Sequence, residues 1–126
     1  MLALRSESLI SSIIIITMSA WIALSLAIIA EVIATSALTA SAGFTRLGPS
    51  LLVLFGYAAA FYFLSLALQT IPLGIAYAIW SGVGVALISI LAYLLYQQKL
   101  DLAAMLGIGL IVSGVVVIQL FSNSRH

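Results

Sequence analysis

The chain has no cysteine, two prolines and one histidine, and charged residues make up only 6% of its 126 positions. Without cysteine there is neither a disulfide framework nor a thiolate metal site, and nothing marks the redox compartment. The histidine, His126, is the last residue, with no companions for a metal centre or a catalytic triad. A formal net charge of +1 leaves no basic face to neutralise phosphates, which excludes nucleic acid as a partner. Nowhere do a nucleophile, a base and an orienting group converge, so neither enzyme chemistry nor a cofactor is expected. A soluble domain is about one quarter charged. Here 65% of residues are hydrophobic and the mean hydropathy is +1.37, too few polar side chains to cover a water-facing surface. Lipid has to solvate the remainder, and the expected class is an all-α, multi-pass membrane protein.

Four apolar stretches follow, each close to the roughly 20 residues that a helix needs to cross about 30 Å of hydrocarbon. Helices are expected at about 19–42, 50–69, 75–97 and 102–121. Gly43 and Gly48 stop the first and Pro49 suits the first turn of the second. Thr70-Ile71-Pro72-Leu73-Gly74 makes a short turn, and Gln97-Gln98-Lys99-Leu100 a polar break before Asp101, the expected N-cap of the fourth helix.

The first stretch is too long. Leu9 to Ala42 covers about 51 Å as a helix, whereas a span centred on Glu31 runs from near Trp21, at headgroup level, to Ser41. Residues 1–17 are thus surplus, a dispensable extension, with Met18 as an alternative start. Orientation is set by loop lysines and arginines, and here they tie. Arg5 and Arg125 fall on one side of four spans, Arg46 and Lys99 on the other. Copies inserted both ways are expected.

Glu31 is the one ionisable group deep in a span. A bare carboxylate there costs several kcal/mol unless it is protonated, paired or watered, and no lysine or arginine in the spans pairs with it. It reads either as an acid that trades a proton for a cation or as a permanently protonated group bonding between helices. Leu24, Ala27, Ile28, Glu31, Ala34, Thr35 and Leu38 share a helix face at spacings of three and four. Tyr57, Phe61 and Leu64 share another, and Tyr77, Trp80, Ser81 and Gly84 a third. These rows suit either a bundle core or an aromatic cage, whose ring faces attract organic cations. Gly82 and Gly84 permit a hinge in the third helix, or close packing. Gly107, Leu110, Ile111, Gly114 and Val115 form a stripe suited to close helix contact.

Ala30-Glu31-Val32-Ile33-Ala34-Thr35, Gly43-Phe44-Thr45-Arg46, the run from Ile71-Pro72-Leu73-Gly74 through Ala76-Tyr77-Ala78-Ile79-Trp80-Ser81-Gly82-Val83-Gly84, and Gln98-Lys99-Leu100-Asp101 together resemble the small multidrug resistance family. The likeness covers Met18 to the C-terminus and is strongest to the branch that exports quaternary ammonium compounds. It implies an antiparallel homodimer in the bacterial plasma (inner) membrane that exchanges protons for lipophilic cations, driven by the proton gradient alone. It also implies that Glu31 binds proton or substrate, that Tyr57, Tyr77 and Trp80 line the site, that Gly82 to Gly84 bends and that Gly107 to Gly114 belongs to the dimer contact. The chain departs from the family at Thr39, where many members have lysine, and at Ala42, where an acidic or polar residue is common. The guanidinium-exporting branch typically has a tryptophan soon after the glutamate, and Val32 to Thr35 has none. Export of guanidinium, lipid-carrier flipping, an accessory membrane subunit and half of a heterodimer are the alternatives.

Overall fold

The computed structural model describes residues 1–123; Arg125 and His126, which entered the charge count and the search for metal ligands, lie outside them. The described residues form four helices and no strand: α1 (Leu2–Ala40), α2 (Leu47–Ala67), α3 (Leu73–Tyr96) and α4 (Leu102–Phe121). Each is long and apolar enough to cross a membrane. The connections are short, so consecutive helices run in opposite directions.

The first boundary differs most from expectation. The helix expected to begin near residue 19 starts at Leu2 and is 39 residues long, about 58 Å against about 30 Å of hydrocarbon. No glycine or proline occurs before Gly43, and the Ile13–Ile16 run lowers helix propensity by only a few tenths of a kcal/mol per residue. Membrane thickness, not a helix breaker, had suggested the later start. Residues 1–19 are exposed along their whole length.

Of the two glycines expected to stop α1, only Gly43 lies in the turn that follows it, at φ +70°. Gly48 lies inside the first turn of α2, beside Pro49. Ala42 and Phe44 flank Gly43 with φ of 49° and 65°, left-handed values that cost a residue with a Cβ about 1 kcal/mol or more. Buried Ser41 offsets that cost. Its hydroxyl donates to the Leu38 carbonyl at 2.7 Å and accepts from the Phe44 N–H at 3.2 Å, while its carbonyl accepts from Thr45 at 2.9 Å. Asp101 is the N-cap as expected, accepting the Ala104 N–H at 2.8 Å, a bond of about 1 kcal/mol. At the other end of that loop Gln97 turns left-handed at φ 54°, so that the Gln98 N–H reaches the Ala92 carbonyl at 3.2 Å.

The core joins α1 to α2 and α3. Ala20, Ala23, Leu24, Ala27, Ile28 and Val32 of α1 pack with Leu64 and Ala67 of α2 and with Ala76 and Ile79 of α3. Alanine dominates because close helix approach, not displacement of water, drives association in lipid. Helix α4 leans on α3 and contributes Val115 to the core.

Candidate functional site

Glu31 sits midway along the packed part of α1, half-buried, with its two carboxylate oxygens in different surroundings. Thr35, one turn on, donates its hydroxyl to Glu31 Oε1 at 2.7 Å. The same Thr35 oxygen lies 2.6 Å from the Tyr57 hydroxyl of α2. Threonine has a single O–H; once it is given to Glu31, Tyr57 has to be the donor in the second bond. The result is a directed chain, Tyr57 to Thr35 to Glu31, that supports a negative charge on Oε1. Oε2 turns toward α3: a methyl group added at Gly84 would lie 3.7 Å from it and 3.7 Å from Trp80 Cδ1.

A cavity of about 260 Å³ opens on that side, lined by Glu31, Tyr77, Trp80, Ser81, Gly84, Val85 and Ile88. Trp80 is its half-buried centre, with the Tyr77 ring 5.9 Å away and the Phe61 ring 6.1 Å away in an edge-on arrangement. Tyr77, on the wall, is 61% exposed, so within one chain the cavity is open on that flank; Phe61, 60% exposed, touches Trp80 but does not line the cavity. A single carboxylate oxygen facing aromatic rings suits an organic cation: the charge meets the oxygen and the apolar substituents meet the rings.

The other residues singled out from the sequence lie around this cavity or behind it. Leu24, Ala27, Ile28, Ala34 and Leu64 are buried in helix contacts and do not line it. Leu38 is 37% exposed, at the outer end of the same α1 face. Ser81 is on the wall, exposed. Gly82 points away from Glu31 into α4, where an added Cβ would collide with Val115 and meet Ile111 at 3.4 Å. Of the α4 stripe, Ile111 and Val115 thus reach α3, whereas Gly107 and Gly114 face open space and Leu110 is exposed.

Val85 and Ile88 were missed, although they continue the Tyr77-Ser81-Gly84 spacing by one more turn. Gly56 was missed too: an added Cβ would lie 2.8 Å from Ala34 Cβ. Its pairing with Ala60, four residues on, was the available signal. Tyr96, which donates from α3 to the Ser36 carbonyl of α1 at 2.7 Å, had none.

The family model described as Small Multidrug Resistance protein matches residues 19–111. The chain belongs to the small multidrug resistance family. It is 58% identical to the quaternary ammonium compound-resistance protein QacE of Escherichia coli over 107 residues, which cover 85% of this chain and 97% of that protein. QacF of Klebsiella aerogenes, with the same description, is 58% identical over 110 residues, 86% of this chain and 100% of the relative. The multidrug transporter EmrE of Escherichia coli strain K12 is 50% identical over 107 residues, 85% and 97% of the two chains. This small multidrug resistance protein is therefore a multi-pass transporter of the inner membrane and not an enzyme.

Tyr57 gives the hydroxyl chain a test. Tyr57→Phe deletes the outer donor and leaves Thr35 bonded to Glu31, and a hydrogen bond of this kind is worth about 1 kcal/mol net. Tetraphenylphosphonium binding at one fixed pH is expected to weaken about fivefold. Thr35→Val strips the carboxylate of its only hydroxyl donor among the described residues and should cost more, about tenfold or beyond. Unchanged affinity in both variants would leave the chain without a role.

Proposed function

We propose that the protein is a proton-coupled antiporter that exports lipophilic and quaternary ammonium cations, with proton and cation competing for Glu31. The observation that carries this reading is the divided carboxyl group, one oxygen held by Thr35, which Tyr57 in turn bonds, and the other facing Trp80 and Gly84. Protonation of the free oxygen neutralises the site and releases the cation; loss of the proton restores the charge that binds it. Two relatives are named for quaternary ammonium compound resistance, and the rings of Tyr77, Trp80 and Phe61 suit that cargo better than a small planar ion.

The working unit is an antiparallel homodimer. The exposed ring of Tyr77 leaves the cavity open where a second copy closes it, and Gly107, Leu110 and Gly114 offer an unpartnered face on α4. Two inverted copies supply the symmetry that larger transporters draw from inverted repeats. Residues 1–17 are not needed for this exchange, since none lines the Glu31 cavity.

Tetraphenylphosphonium binding to the purified protein tests the reading. When one cation displaces one proton, affinity rises with pH by up to about tenfold per unit until the acid is fully ionised. Binding is expected to tighten as pH rises, and equally so in a chain that begins at Met18. Affinity independent of pH would mean a cation site without coupling.

A further inference from the structure

A second, larger cavity, of about 680 Å³, lies between the C-terminal half of α3 and the start of α4 and shares no residue with the Glu31 cavity. Its walls are apolar, chiefly Ile90, Leu94, Met105 and Ile108, with Tyr93 beside them. Lys99, in the α3–α4 loop, is its one charged residue and is exposed. Asp101, two residues on, directs a carboxylate oxygen to the Ala104 N–H. The lining runs along α3 from Ala86 to Gln98 in the loop, about 18 Å at 1.5 Å per residue. That matches one leaflet, about half of the 30 Å hydrocarbon core. The polar loop sets Lys99 at the level of the headgroups.

We propose that this groove binds an anionic phospholipid, its phosphate on the Lys99 ammonium and an acyl chain laid along Ile90, Leu94 and Met105. Charge selects the ligand class. A cationic cargo of the Glu31 site is repelled by Lys99, whereas a phosphate is attracted by a compact ammonium, and basic pockets between membrane helices favour anionic headgroups. A second copy fits less well. Close helix approach in lipid needs small residues along its whole length, and beyond Ala86 and Ser89 this wall presents tyrosine, leucine, isoleucine and methionine.

The experiment compares spin-labelled phosphatidylglycerol with spin-labelled phosphatidylcholine in phosphatidylcholine vesicles that contain the protein, reading the motionally restricted fraction of each. Phosphatidylglycerol is expected to be preferred about fivefold, the scale of one basic side chain at an anionic surface. Lys99→Gln should abolish the preference and Lys99→Arg keep it. Met105→Trp, which fills the groove without changing charge, should reduce it, and Arg46→Gln, in the loop on the same side, should leave it intact. Equal restriction of the two lipids overturns the proposal, as does a preference that Lys99→Gln leaves unchanged or that Arg46→Gln removes equally well. Displacement of the labelled lipid by free glycerol phosphate would overturn it in favour of a plain phosphate site.

Discussion

Glu31→Gln is expected to abolish proton-driven efflux and to make tetraphenylphosphonium binding weak and flat across pH. The substitution isolates charge. Glutamine keeps an oxygen to accept the Thr35 hydroxyl that Glu31 Oε1 now accepts at 2.7 Å, so the link from α1 to Tyr57 survives and the helices stay packed. What is lost is the attraction between a carboxylate and a cation, about 4 kcal/mol at about 4 Å and an effective dielectric near 20. Affinity should therefore fall by roughly three orders of magnitude toward whatever the rings alone provide. Resistance to cationic dyes in cells and tetraphenylphosphonium uptake into vesicles under an imposed pH gradient are the readouts. Full gradient-driven transport by Glu31→Gln would sink competition at this residue. Glu31→Asp keeps the charge on a stem one methylene shorter, drawn back from Thr35 and from the cavity. Partial transport with an altered pH profile is expected, and an unaltered profile would count against the carboxylate as the titrating group.

Much of this site was legible because lipid removes alternatives. In a chain with 6% charged residues an acid in mid-span stands out by itself, and helical spacing then brings Thr35 beneath it and sets Tyr77, Trp80 and Ser81 on one face of α3. The Asp101 cap was legible for a similar reason, since one acid at a span boundary has free N–H groups before it. Less legible was which side of each face a neighbour covers. Ala27, Ile28 and Ala34 share the Glu31 face, yet the structure buries them against other helices, because a face wide enough to hold a cavity is also wide enough to hold a contact. Gly82 and Gly84 illustrate the same limit. Two residues apart on a helix, they point some 200° apart, one into Val115 of α4 and the other toward Glu31. The early start of α1 lay beyond reach for another reason. Bilayer thickness limits how much of a helix is in hydrocarbon, not how far the helix continues outside it.

Gly56→Ala is the backbone counterpart of Glu31→Gln, because it strikes the site without touching a chemical group in it. The added Cβ would stand 2.8 Å from Ala34 Cβ, 3.3 Å from Ala34 Cα and 3.3 Å from the Ala30 carbonyl oxygen. None of these atoms can rotate away, so α1 and α2 must separate. Overpacking of this kind costs about 1–3 kcal/mol, and the next residues along, Thr35 and Tyr57, hold the 2.6 Å bond that has to stretch. Gly56→Ala is thus expected to lower the thermal midpoint in detergent and to weaken tetraphenylphosphonium binding together, and Gly56→Leu to abolish both folding yield and transport. Ala34→Gly added to Gly56→Ala removes the opposing Cβ and should restore part of each loss. Gly74→Ala, where nothing lies within 4 Å, should change neither by a measurable amount. Gly84→Ala separates the two effects: its methyl group fits at 3.7 Å from its neighbours, so stability should hold while the cavity beside Glu31 narrows. Bulky cations should then lose affinity more than small ones. If Gly56→Ala left binding intact while Gly84→Ala destroyed the fold, the division between packing glycine and cavity glycine would be wrong.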